Sequence, residues 1–209
     1  MIKLLLTWTM ILLYGSAQAG AYDDIIAAAN NGDTKAVVGL LKRGMDVNTA
    51  DRSGSTLLMI AARNGNLALM DALLANRANV NRRNEFGDTA LLLAAFKGRV
   101  EAAQALIAKG AEVNPSGWTP LHYAVFAGSQ EVAAVLIASG AKLNARAPNG
   151  QTALMLAVKQ GNLKVVRQLI DADADMDLAD SDGTTALKMA QRLGHEDIAA
   201  YLRQVGAVE

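Results

Sequence analysis

The side chains that could do acid–base or metal chemistry are few in this sequence. Its 209 residues include two histidines, His122 and His195, and no cysteine. The absence of cysteine excludes a thiolate nucleophile, a cysteine-ligated metal and a disulfide. A Ser-His-Asp triad or a two-histidine metal site would need a histidine beside a nucleophile or beside the other histidine. Whether the two can meet depends on the elements that carry them.

Carboxylates offer the other candidate chemistry. An acidic run could supply oxygen ligands to calcium, and it consists of Asp171, Asp173, Asp175, Asp177, Asp180 and Asp182. It lacks the glycine at the sixth position and the glutamate at the twelfth that a calcium-binding EF-hand loop carries. Aspartate also commonly accepts hydrogen bonds within turns, so we expect a turn, with calcium as the alternative. Asp23 and Asp24 are adjacent on a predicted helix and diverge by roughly 100°, which disfavours a shared acid–base target.

The elements that carry these residues repeat. Three ladders of residues run in phase with a period of 33 residues, except for one interval of 30. The ladders are Gly32, Gly65, Gly98, Gly128, Gly161 and Gly194; Gly54, Gly87, Gly117, Gly150 and Gly183; and Asn48, Asn81, Asn114, Asn144 and Asp177. Such a period indicates a solenoid of supersecondary units. Single glycines at this spacing do not form a phosphate-binding loop.

Each period contains the signals for two helices. A threonine followed by small and apolar residues starts a first helix, and the first-ladder glycine ends it in a left-handed conformation. An apolar-periodic stretch such as Val132, Val135 and Leu136 forms a second helix. Arg77 and Asp173 stand where other units have a glycine after the second helix, so those two turns should be strained.

The residues around the ladders resemble the ankyrin repeat. Residues 117–124 read GWTPLHYA, and other copies keep the threonine, leucine and alanine of this motif. The resemblance covers essentially everything after Ala19 and implies an all-α solenoid of about six helix-pair units with short β-turn fingers. The expected units are 20–50, 51–83, 84–114, 115–146, 147–179 and 180–209. Both histidines fall on consensus positions, two units apart, so no catalytic residue, metal or cofactor is predicted.

The first nineteen residues differ from the repeats and have the features of a cleavable signal peptide. Lys3 forms a short basic region, residues 4–14 are apolar, and Ala17 to Ala19 supplies small residues for cleavage after Ala19. The alternative, an uncleaved membrane anchor, would need roughly 18 apolar residues. We therefore expect export to the periplasm and no membrane segment after cleavage, as in small exported bacterial ankyrin-repeat proteins.

The balance of charge limits the class of partner. Twenty basic and twenty acidic residues give a pI of about 6.7, which provides no general attraction to nucleic acid or anionic lipid. Ankyrin-like solenoids generally bind proteins through their fingers and first helices. We therefore expect a monomeric, non-enzymatic module that binds a partner protein through its concave face, as scaffold, inhibitor or protector. The alternative is an accessory factor that supports a periplasmic enzyme in envelope or oxidative-stress physiology.

The repeat register predicts which residues form the binding face. Five of the seven aromatic residues after Ala19 fall on it, with basic residues around them, and this combination is typical of interface hot spots. The predicted partner-binding residues are Arg52, Arg63, Arg83, Phe86, Phe96, Lys97, Trp118, Tyr123, Phe126, Arg146 and Lys159. Alternatively, Tyr123 and Phe126 cover the groove between neighbouring first helices and stabilise the stack. The short unit should leave a notch beside Trp118.

Overall fold

The computed structural model describes residues 20–208, and the predicted signal peptide at 1–19 lies outside that range. The described residues form twelve helices in six successive pairs, and two isolated β-bridges, Ala50–Thr56 and Ala179–Thr185. The helices are α1 (20–30), α2 (Thr34–Lys42), α3 (Leu57–Asn64), α4 (Leu67–Ala75), α5 (Ala90–Phe96), α6 (Val100–Ala108), α7 (Pro120–Phe126), α8 (Gln130–Ala138), α9 (Ala153–Lys159), α10 (Leu163–Asp171), α11 (Ala186–Leu193) and α12 (Glu196–Gln204). The predicted all-α solenoid is confirmed.

The first helix of each pair from α3 onward begins at a threonine. The hydroxyl of each threonine accepts a hydrogen bond from the backbone N–H three residues later, at 3.2–3.4 Å, in Thr56, Thr89, Thr119, Thr152 and Thr185. This bond satisfies one of the amides that has no partner within the helix. The first-ladder glycines follow with positive φ, for example +72° at Gly65 and +74° at Gly194, where L residues are disfavoured.

Neighbouring pairs stack into two layers. First helices pack on first helices, as in α5 between α3 and α7, and second helices pack on second helices, as in α8 between α6 and α10. One alanine in each first helix is completely buried, and these residues are Ala61, Ala94, Ala124, Ala157 and Ala190. The small side chain lets adjacent helices approach closely, so one apolar core runs through the stack.

The asparagine ladder joins each unit to the next. The side chain of Asn81 accepts from the backbone N–H of Glu112 at 2.8 Å and donates to the carbonyl of Gly110 at 3.0 Å. Asn114 repeats both bonds one unit later, with Lys142 and Gly140. These bonds satisfy exposed backbone groups between units, which explains why the ladder keeps its period through the short unit.

The strain expected at the two substituted turns is confirmed. Arg77 has φ of +63° and Asp173 has φ of +67°, and they are the two described non-glycine residues with positive φ. Aspartate tolerates this region better than arginine, because its short side chain can hydrogen-bond locally. Arg77 therefore carries the larger backbone cost.

Replacing Arg77 by glycine should raise the free energy of unfolding by about 0.5–1 kcal/mol, because relief of the left-handed strain exceeds the entropy that glycine adds to the unfolded chain. Urea denaturation measures this change. The matched control is Gly110→Arg at the equivalent turn of the next unit, where φ is +83° and an added Cβ meets no atom within 4 Å. It should lower stability by a similar amount, and a loss of stability in Arg77→Gly would contradict the strain argument.

No helix among residues 20–208 is long and apolar enough to cross a membrane.

Candidate partner-binding site

Four of the predicted binding residues form one cluster of rings, here called the aromatic patch: Phe96, Trp118, Tyr123 and Phe126. Phe96 is the last residue of α5, Trp118 directly precedes the threonine that caps α7, and the other two lie one turn apart on α7. The rings of Phe96 and Phe126 are nearly parallel, with centroids 6.3 Å apart. Trp118 meets the Phe126 ring edge-on at 6.4 Å, and Tyr123 meets the Phe96 ring edge-on at 6.0 Å.

The aromatic patch lines an open depression of about 280 Å³. Phe126 is 48% exposed, while the other three rings are half-buried. Exposed apolar surface that is contiguous and concave is typical of a binding site. This depression is therefore our candidate for the place where a partner inserts side chains.

Tyr123 also joins two units of the array. Its hydroxyl donates to Oδ1 of Asp88 in the preceding finger at 3.1 Å. Partial burial, together with the charge of Asp88 and the hydrogen bond to it, raises the pKa of Tyr123 to about 12. The alternative interpretation of Tyr123 as a residue that stabilises the stack therefore has support, whereas the exposure of Phe126 favours an interface role for that ring.

The remaining aromatic residue of the predicted face, Phe86, lies outside the lining of the depression. It stands at the tip of the finger 84–88 and is 77% exposed, the largest exposed fraction among the described large apolar side chains. Lys97 contacts the patch from the side, with its Nζ 5.0 Å from the centroid of the Phe96 ring. This distance permits a cation–π interaction.

Three of the predicted binding arginines form hydrogen bonds within the array. Arg63 donates to the side chain of Asn30 at 3.1 Å, and Arg83 donates to the carbonyl of Gly87 at 3.2 Å. Arg146 donates to carbonyls in its own finger and, at 2.5 Å, in the next one. Arg52 and Lys159 are exposed. These bonds orient the guanidinium groups, and the contribution of all five basic residues to a partner stays a prediction.

The fingers are regular everywhere except beside the aromatic patch. In four fingers, a backbone N–H donates to the carbonyl four residues later at 2.9–3.0 Å, and these fingers are 51–55, 84–88, 147–151 and 180–184. Within the described residues the short unit has no such bond: its chain passes from Asn114 through Pro115, Ser116 and Gly117 directly to Trp118. We call this interruption the finger gap. It is the notch expected from the sequence.

His122 lies beneath the patch and is 1% exposed. Its Nδ1 accepts from the backbone N–H of Thr119 at 3.1 Å, and its ring is 5.6 Å from that of Trp118. Burial lowers the pKa of His122 below its ordinary value of 6.5, while hydrogen bonding to the backbone of Gln151 and Ala145 opposes part of this shift. The neutral ring therefore helps to cap α7 and carries no proton at neutral pH.

The free energy of unfolding should fall as the pH decreases below about 6.5, because the unfolded chain then binds a proton at His122 that the folded chain binds less readily. The loss should continue until the pH is below the lowered pKa of the folded state, and it should be absent above pH 6.5. Urea denaturation between about pH 8 and about pH 5.5 measures it. His122→Gln should flatten this part of the profile and His195→Gln should not; identical profiles for wild type and His122→Gln would refute the assignment.

The acidic run makes turns in the structure. Oδ1 of Asp180 accepts from the backbone N–H groups of Asp182 and Thr184, at 3.0 and 2.9 Å. Oδ1 of Asp177 accepts from the N–H of Val208 at 2.9 Å, in the manner of the asparagine ladder. In the part of the chain that the structure describes, no group of three or more histidine, aspartate or glutamate side chains is arranged to hold a metal ion.

The comparison with known families agrees with the repeat geometry. A family model described as ankyrin repeats matches the chain in three copies, at residues 12–84, 58–147 and 144–208. The chain belongs to the ankyrin-repeat family. Ankyrin repeats generally mediate protein–protein interactions, and proteins built from them are typically non-enzymatic binding modules. A comparison with curated proteins finds no match.

Two features of this ankyrin array were not predicted from its sequence. Asp88 was not among the expected site residues, although it hydrogen-bonds Tyr123 of the patch. Pro115 and Pro148 were also overlooked, although both lie second before a finger glycine, Gly117 and Gly150. Alignment of the five fingers on their glycines would have revealed the two prolines, and its consequence is developed below.

Proposed function

We propose that this protein is a periplasmic binding module that docks one partner protein on the aromatic patch and the fingers beside it, and so acts as a scaffold, inhibitor or protector of that partner. The observation that carries the proposal is the aromatic patch itself. Four rings from two neighbouring units converge on a depression, and Phe126 remains about half exposed there. Aromatic residues in such a position are the usual anchors of protein interfaces.

Several further observations favour a protein over a small metabolite. The depression is open, and its lining is aromatic without a convergent set of polar groups to orient a small molecule. Phe86 adds exposed apolar surface on the next finger, and Lys97, Arg52 and Lys159 add exposed charge around it. An apolar centre with a charged rim is the composition expected of a protein interface.

Affinity capture from a periplasmic extract tests the proposal. The purified protein is the bait, and the double variant Trp118→Ala, Phe126→Ala is the control. We expect a protein that is retained by the wild type and lost from the double variant, and that is then bound directly in a purified binding assay. Equal retention by both baits would contradict the proposed site. Finding the wild-type protein in the cytoplasmic fraction of its host would contradict the proposed location.

A further inference from the structure

We propose that the finger gap receives an extended segment of the partner polypeptide, which donates a backbone N–H to the carbonyl of Phe86 and places a large apolar side chain in the aromatic patch. This inference rests on the proposed function, because it assumes that a protein binds there. It adds the conformation of the bound segment, its hydrogen-bonding partner and the kind of side chain that it must carry.

The first argument is the register of bonds between fingers. Where two full fingers are adjacent, the N–H of the residue second before the glycine donates to the carbonyl directly before the glycine of the preceding finger. Glu85 donates to Ser53 in this way at 3.0 Å, and Ser181 donates to Asn149 at 3.5 Å. Fingers are thus paired edge to edge in two sets, one on each side of the short unit.

The second argument is that proline occupies the donor position in both of the other cases. The residues that should donate to the carbonyls of Phe86 and Ser116 are Pro115 and Pro148, and proline has no N–H. Among the described residues, none donates to the carbonyl of Phe86. The finger 84–88 therefore presents a free acceptor on the side that faces the finger gap, as an edge strand does.

The third argument is the contact between the finger gap and the aromatic patch. Trp118 directly follows Gly117 of the gap, and Asp88 at the end of the preceding finger holds Tyr123 of the patch. A chain that lies in the gap therefore passes beside the rings. Three residues are missing from this unit relative to its neighbours, and three extended residues span roughly 10 Å, so the gap suits a short extended segment.

An extended peptide fits these features better than a helix or a cationic side chain. A helix satisfies its own backbone groups and leaves the Phe86 carbonyl without a donor. A cation over the Phe96 ring would lie near Lys97, whose Nζ is already 5.0 Å from that ring. A large aliphatic or aromatic side chain gains from burial against four rings and meets no such repulsion.

The test uses a phage-displayed library of random heptapeptides as the probe and the purified protein as the target. One variant carries a second copy of residues 82–84 between Asn114 and Pro115, which fills the gap with a full finger. Another variant, Pro115→Ser, supplies an internal N–H for the Phe86 carbonyl without changing the length of the chain. Pro120→Ala is the matched control, because it alters a proline at the start of α7, where a backbone N–H has no helical partner.

We expect the wild type to enrich peptides that contain a large aliphatic or aromatic residue. The insertion should weaken their binding by at least about ten-fold, because chain and peptide compete for one space. Pro115→Ser, or N-methylation of a single peptide amide, should weaken it by about two- to ten-fold, the worth of one neutral hydrogen bond. Pro120→Ala should leave affinity unchanged.

The inference is overturned if no peptide is enriched, or if enriched peptides bind the insertion variant as tightly as the wild type. If that binding is nevertheless lost in Trp118→Ala, Phe126→Ala, the aromatic patch still binds a protein and the proposed function stands without the gap. A dimer in analytical ultracentrifugation that the insertion abolishes would assign the gap to a second copy of the chain, and would also overturn the inference. Should the insertion variant fail to unfold cooperatively, Pro115→Ser and the N-methyl peptides decide.

Discussion

The double variant Trp118→Ala, Phe126→Ala should bind the partner at least about 100-fold more weakly than the wild type, which corresponds to about 3 kcal/mol. Each ring contributes apolar area to the depression, and anchors of this kind individually cost about 1–3 kcal/mol when truncated. Their effects should not add fully, because the two rings contact one another at 6.4 Å. Isothermal titration calorimetry with the captured partner measures the change.

The control for this prediction must separate lost binding from lost folding. Leu193 is 44% exposed at the end of α11, against 48% for Phe126, and it lies outside the aromatic patch. Leu193→Ala should therefore leave partner affinity unchanged. The double variant must also keep helical circular dichroism and cooperative unfolding. A partner that binds the well-folded double variant with wild-type affinity would remove the aromatic patch from the interface.

The second large effect concerns stability. Leu121→Ala should lower the free energy of unfolding by about 3 kcal/mol, within the range of roughly 2–5 kcal/mol for truncation of a buried leucine. Leu121 is completely buried in α7, which packs against α5, α8 and α9. The cavity would weaken a central unit at its interfaces with both neighbours. Chemical denaturation followed by circular dichroism measures the loss.

A leucine at the end of the array provides the matched comparison. Leu202 is also completely buried, but its helix α12 packs against α10 and α11 of the last two units alone. In a solenoid each unit contacts its neighbours, so Leu202→Ala should mainly increase fraying of the last unit. Amide hydrogen exchange should then accelerate in α12 more than in α7. A uniform acceleration in all helices would show that the array unfolds as a single block.

The helices could be predicted from the sequence because their signals are local. A threonine cap, as at Thr119, acts on an amide three residues away, and a left-handed glycine such as Gly65 acts at its own position. Repetition then multiplies these signals, since one erroneous unit would break a period shared by five others. The strain at Arg77 was predictable for the same reason, because it depends on one residue type at one backbone conformation.

The candidate site was predictable in part. The repeat register placed Phe96, Trp118, Tyr123 and Phe126 on one face, but it placed Phe86 there as well, and the structure leaves Phe86 outside the depression. Register fixes which face a residue lies on, whereas contact between rings depends on the spacing of neighbouring units and on side-chain rotamers. The bonds of Arg63 and Arg146 to other units also depend on that spacing.

The sequence alone therefore determined the unit, its period, the short interval before Gly117 and the identity of the residues on the predicted face. The tertiary structure decided which of those residues meet, that Asp88 holds Tyr123, and that two prolines leave the Phe86 carbonyl without a donor. The physical reason is one of distance along the chain. Caps and turns form between residues a few positions apart, while the patch and the finger gap form between residues about one repeat apart, where stacking of the units sets the geometry.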